Sequence, residues 1–230
     1  MAKLKSVAVE QQKKDRVRFG PDTKWQDIQA KNIANEDDIH ILIDIRGDNK
    51  AVVEWINGNW SCDNERLQIP LKRARESLGY AIRTNRVSPA ECGGFWARHV
   101  YREYNREADK RATWALQHNE PCTEEYFCDK EHFVDGVVRL AAYFDGGRRD
   151  NCAGGAWTIH ILGSDDTEYL WRARCFPLGN ATSTTAEMAS PADLCEFIER
   201  ISHCQDRSEF LALRVGESAE SAPKRRRSGR

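Results

Sequence analysis

The sequence predicts an α/β protein with a five-stranded mixed sheet flanked by helices. Three observations carry that prediction. An apolar, β-branched run, IHILIDI at 39–45, leads straight into a helical pattern, which is the strand-to-helix order of an α/β layer. A second such pair follows, FWARHVYR at 95–102 and then NREADKRATWALQ. The third is a meander, VRLAAYF, GGAWTIHIL and EYLWRARCFPL, that ends in an apolar helical pattern through Phe197.

Composition narrows the class without selecting a partner. Lys plus Arg number 35 and Asp plus Glu 36 in 230 residues, so bulk charge favours neither nucleic acid nor an acidic surface. With 40% hydrophobic residues, 31% charged and seven tryptophans, the chain has the make-up of a folded protein. No apolar run reaches bilayer length and MAKLKSVAVEQQKK lacks a signal-peptide core, so no membrane partner and an intracellular setting, nuclear or cytoplasmic, are expected. The eight cysteines show no framework spacing and read as reduced thiols. His118, Cys122, Cys128 and His132 cluster within fifteen residues, but their spacing matches no common zinc module, and a polar linker is the favoured reading.

Residues 1–36 read as a charged flexible extension. After the 39–45 strand, Asp48 or Asn49 caps a short helix over Val52, Val53 and Ile56 that closes near Gly58. An acid at a strand end and a helix start lies where ligands gather in α/β sheets. A helix is expected after Pro70, with Leu71, Ala74, Leu78 and Ile82 at helical spacing. Its other face carries Lys72, Arg73, Arg75 and Arg83, either a solvated surface or a contact for a phosphate backbone. Residues 86–94 read as a loop. His99 reads as a half-buried strand histidine, and Asn105 as the cap of the next helix.

In the meander, a strand delivers Asp145 into a Gly146–Gly147 turn, and Glu187 follows the ATSTTAEM run. Two acids on rigid elements can hold a divalent cation. SPADLCEF reads as a separate helix start, with Ser190 as N-cap, Pro191 first and Asp193 three after the cap. A helix that kinks or begins late there could leave Glu187 on a turn that does not point at Asp145. The basic stretch 206–230, ending APKRRRSGR, reads as a disordered tail serving as an import signal, a nucleic-acid tether or solvated surface.

The stretch from YFDGG to TTAEM resembles the front half of the ribonuclease H family, in its retroelement and plant-like form. DNKAVVEWING and HVYREYNREADKRA resemble the back half. The resemblance implies a four-acid site in which Asp145 bridges two Mg²⁺ ions, with Mn²⁺ as a substitute, Glu187 and Asp48 ligating one ion and Asp109 the other. Asp44, on the same strand, is the alternative to Asp48, and the register with VVEWING favours Asp48. It further implies hydrolysis of the RNA strand of an RNA:DNA hybrid, contacted by Gly146, Gly147, Ser183, Thr184, Thr185, Asn49, Lys72, Arg73 and Arg75. His99 lies ten residues before Asp109, where a bacterial-type subgroup carries a mobile histidine. The alternatives are a catalytically inactive domain of the same fold that binds nucleic acid or protein, and a DNA-directed nuclease.

The halves come in reversed order, which makes the expected domain, 37–205, circularly permuted. Residues 37–117 form its back half, 118–136 a linker and 137–205 its front half. The other arrangement pairs halves between molecules as a swapped dimer. An extended linker of that length reaches roughly 55–60 Å, against a domain radius of gyration near 15 Å, roughly. Closure within one chain has the higher effective concentration, so a monomer is favoured.

Overall fold

The computed structural model describes residues 39–90, 96–126, 137–163, 165–204 and 209–210. The expectations for the 1–36 extension, for Cys128 and His132, and for nearly all of the basic tail lie outside those residues. The elements are β1 (His40–Gly47), α1 (Lys50–Asn57), α2 (Glu65–Arg83), β2 (Val87–Pro89), β3 (Ala97–His99), a 3₁₀ turn (Arg102–Tyr104), α3 (Arg106–His118), β4 (Cys122–Glu125), β5 (Val137–Arg149), β6 (Cys152–Leu162), β7 (Glu168–Gly179) and α4 (Ser183–Ser202).

They build one mixed sheet, ordered β2-β1-β5-β6-β7-β4, with β3 also paired to β1. Both β2 and β3 run parallel to β1, on successive stretches of it, so together they make one interrupted edge strand. Pro89, which has no N–H to give, sits at that edge, where its absence costs least. β1 pairs in parallel with β5 from His40↔Val137 to Gly47↔Phe144, and β5, β6 and β7 form the antiparallel meander. Among the described residues the sheet thus has seven strands, where five were expected. One addition, β2, comes from the 86–94 stretch read as a loop, and another, β4, from the 118–136 stretch read as a linker.

β4 lies antiparallel on the outer edge of β7. Two ion pairs fasten it. Arg111 of α3 bonds Glu124 at 2.6 Å, and Arg172 of β7 bonds Glu125 at 2.6 Å. Both arginine side chains are largely shielded from water, which keeps these pairs from being screened as surface ones are.

The two sheet faces are covered differently. Ile41, Ile43 and Ile45 of β1 join Val52 and Ile56 of α1, Leu67, Leu71 and Leu78 of α2, and Met188, Leu194 and Phe197 of α4 in the main core. The opposite face receives α3, which lays Ala108, Ala112 and Ala115 against Ala141, Ala156 and Cys175. Small residues on both sides let α3 sit close to the strands.

Three local expectations change. α2 starts before Pro70 and not after it, because Asn64 caps the helix by accepting the Arg66 N–H. Pro70 then forfeits only the bond to the Arg66 carbonyl. α4 is continuous through Pro191, which is buried within it. Its cap is Thr182, whose hydroxyl accepts the Thr185 N–H at 3.0 Å, and Asp193 accepts instead from the Trp157 indole at 2.7 Å. Burial of Met188, Ala192, Leu194, Phe197 and Ile198 outweighs a proline penalty of about 3 kcal/mol.

The third change concerns the glycines. Gly146 and Gly147 are not a turn: β5 continues to Arg149 and the hairpin turns at Asp150–Asn151, with Asp150 at φ 55°. Gly146 is instead a point of close approach, since a Cβ there would overlap the backbone of Ala186 and Glu187. Its cross-strand partner Gly155 leaves room for the Ser190 hydroxyl. That hydroxyl donates to the Asp145 carbonyl at 2.6 Å and accepts the Ala156 N–H at 3.1 Å, so Ser190 pins α4 to β5 and β6. The Gly146→Ala variant is expected to lose about 1–3 kcal/mol of stability or more, read as a lower urea midpoint at unchanged m-value.

Candidate metal centre

Register places the first two acids. Gly47 stands opposite Phe144, so Asp48, just past the end of β1, falls beside Asp145 of β5, which runs on to Arg149. Asp48 stays put because Asn49, immediately after it, caps α1 by accepting the Ala51 and Val52 N–H groups at 3.1 and 3.3 Å. Asp44, the alternative on the same strand, is opposite Ala141 and is bound to Arg46 at 2.7 Å and Arg98 at 2.7 Å. It is spent on ion pairs and stands a strand turn away from Asp145.

Asn105 ties the two strand ends to α3. Only 1% exposed, it donates from Nδ2 to the Phe144 carbonyl at 2.9 Å and to Asp48 Oδ1 at 3.3 Å. It stands at the N-cap position but makes no side-chain cap bond, so its expected capping role gives way to positioning Asp48. Its Oδ1 is buried without a hydrogen-bond partner among the described residues.

Glu187 arrives from α4, carried in by the Gly146 contact. Asp48, Asp145 and Glu187 each offer a carboxylate oxygen such that all three atoms lie within 4.8 Å of one another. The concern that Pro191 would turn Glu187 aside is thereby overturned. Asp109 is not part of this triad, but it lines the same cleft of about 420 Å³, together with Gly146, Gly147 and Ser183. Arg102 bonds Asp109 Oδ1 at 2.7 Å.

The remaining expected contacts lie elsewhere. Thr184 is exposed and Thr185 half-buried at the α4 N-terminus. Lys72 pairs with Glu76, Arg73 with Glu196 of α4, and Arg75 with the Trp55 carbonyl. None of these three lines the acidic cleft. His99 is exposed, contrary to its half-buried reading, with Nε2 3.1 Å from the Asp48 carbonyl oxygen. His118 stacks on Trp114 and contacts its carbonyl at 2.9 Å, while Cys122 faces Cys175 across β4 and β7. Three cleft arginines escaped the sequence reading: Arg102, Arg148 and Arg149. Arg148 and Arg149 follow the glycine pair directly, a position hidden while that pair was read as a turn.

The electrostatics follow from crowding. Burial first, then the charges of Asp48 and Asp109, push the Asp145 pKa up to about 8. Burial and the charges of Asp145 and Asp48 raise Glu187 to about 8 as well. Glu187 Oε2 is buried with no hydrogen-bond partner among the described residues. An unsatisfied oxygen among mutually repelling carboxylates suits a hard divalent cation, which takes oxygen donors and relieves the repulsion.

Set against models of known protein families and against curated proteins, the chain matches none. Among the described residues, no helix is long and apolar enough to cross a membrane.

The raised acids make stability depend on pH. Unfolded carboxylates release protons near pH 4, roughly, and the folded Asp145 and Glu187 near pH 8. Between those values the native state binds more protons, so this contribution is complete below about pH 4 and lost as pH rises through about 8. In chelator, the melting temperature is expected to fall from pH 5 to pH 8, and Asp145→Asn to flatten the decline. In Asn105→Ala the Phe144 carbonyl loses its donor, with an expected cost of about 1–3 kcal/mol by urea unfolding.

Proposed function

We propose that this protein is a metal-dependent endonuclease of the ribonuclease H type, hydrolysing the RNA strand of RNA:DNA hybrids. The observation that carries the reading is the convergence of Asp48, Asp145 and Glu187 within 4.8 Å, from three separate elements, at the residues that the family resemblance marks. The sheet supports it: β7-β6-β5-β1 followed by β2 and β3 corresponds to the family's antiparallel meander with its two parallel additions, read in permuted chain order. Pairing of β1 with β5 inside one chain is the arrangement that a permuted monomer requires.

Asp145, Asp48 and Glu187 would hold one Mg²⁺ or Mn²⁺, and Asp109 would contribute to a second. Such ions supply a water acidic enough to attack phosphorus and neutralise charge on the phosphoryl oxygens. The protein's own part is positional. Asn105 orients Asp48, the Gly146 contact presses Glu187 toward Asp145, and Ser190 fixes the spacing of helix and strand. The cleft wall carries Arg102, Arg148 and Arg149, which attract the phosphate backbone without reading sequence. Choice of RNA over DNA rests on the 2′-hydroxyl.

The test is cleavage of an end-labelled hybrid. Magnesium-dependent cutting of the RNA strand, with 5′-phosphate products, is expected from the wild type, and a loss of at least about a hundredfold from Asp145→Asn. Equal cutting of duplex DNA would assign the chain to the DNA-directed alternative. Tight hybrid binding without cutting would make it a silent binding domain.

A further inference from the structure

We propose that Arg102 is a built-in counter-cation that competes with a second divalent ion for Asp109. The inference rests on the metal-site reading above and concerns the order in which the site fills. Arg102 opens the 3₁₀ turn just before α3, and its guanidinium donates to Asp109 Oδ1 at 2.7 Å. Asp109 is the acid that stands outside the 4.8 Å triad, and it is the one that this arginine holds. The charges of Asp145 and Asp48 also act on Arg102, after that of Asp109, so the guanidinium faces the whole acidic group.

The guanidinium takes one of the lone pairs of Asp109 and sets a positive charge beside it, which repels a divalent ion arriving at the same acid. An ion binding the triad meets weaker opposition, because Arg102 acts on Asp145 and Glu187 through its charge and bonds Asp109 directly. One binding Asp109 must approach against a paired positive charge or displace it. The displacement is mechanically easy: the Arg102 side chain is 76% exposed, so it swings into water at small cost. A guanidinium so released is free to meet a phosphate, which it binds in bidentate fashion. The site therefore fills in two unequal steps, the first set by the triad and the second by Arg102.

The experiment is calorimetric titration of Mn²⁺ into the full chain after chelator treatment and dialysis, for wild type, Arg102→Gln and Arg102→Lys. The wild type should take one ion tightly and a second weakly. Arg102→Gln should tighten the second step roughly tenfold, the effect of removing a unit charge some ångströms from a divalent ion in high dielectric, and tighten the first by less. Arg102→Lys keeps the charge and should stay near wild type. Melting temperatures of both variants should match the wild type, since the side chain is exposed. A second step unchanged or weakened in Arg102→Gln overturns the inference alone. Absence of any Mn²⁺ binding to the wild type overturns the metal-site reading as well.

Discussion

The contact between α4 and the β5–β6 pair is the constraint on which the rest depends. Gly146 has no Cβ, so the Ala186–Glu187 backbone rests directly on the strand. Ser190 then bonds both strands through one hydroxyl. With any other residue at Gly146 the helix would stand off, and Glu187 would withdraw from Asp145. One small residue therefore serves packing and chemistry together, and the chemistry opposes stability. The same closeness that gathers three carboxylates raises two of their pKa values to about 8, a burden that the large apolar face of α4 offsets.

Much of this was legible in the residues. The run IHILIDI and the three meander segments have the β-branched, apolar character of buried strands, and all four are strands. Asp48 and Asp145 were legible because each follows an apolar strand run, and the parallel register of β1 with β5 brings the ends of those two runs into line. The misreadings share one cause, local rules overridden by packing. SPADLCEF satisfies every local signal for a helix start, yet Ser190 caps nothing because its hydroxyl is claimed by β5 and β6. Gly146–Gly147 looks like a turn to any rule that weighs glycine's conformational freedom, whereas its use here is the space a missing Cβ leaves. Asn105 looks like a cap and instead reaches two strand ends that only the folded sheet assembles.

Basic residues were the least legible. Lys72, Arg73 and Arg75 formed a conspicuous stripe, but helical periodicity says nothing of what lies across from a face. In the fold, Arg73 is taken by Glu196 and Arg75 by a backbone carbonyl. The arginines that do line the cleft are dispersed along the chain, at 102, 148 and 149. Only the β5–β6 hairpin and the 3₁₀ turn bring them to one rim.

The order of elements carries a consequence for biosynthesis. Asp48 and Asp109 precede β4, while Asp145 and Glu187 follow it, and β1 makes its longest pairing with β5, about a hundred residues later. A growing chain released residue by residue can form α1, α2 and α3 long before the middle of its sheet exists. Until α4 has emerged, Glu187 is missing and Asp48 and Asp145 stand as an incomplete triad. The triad is thus complete only when the fold is, and a chain ending before Glu187 would lack it however much helix it contains.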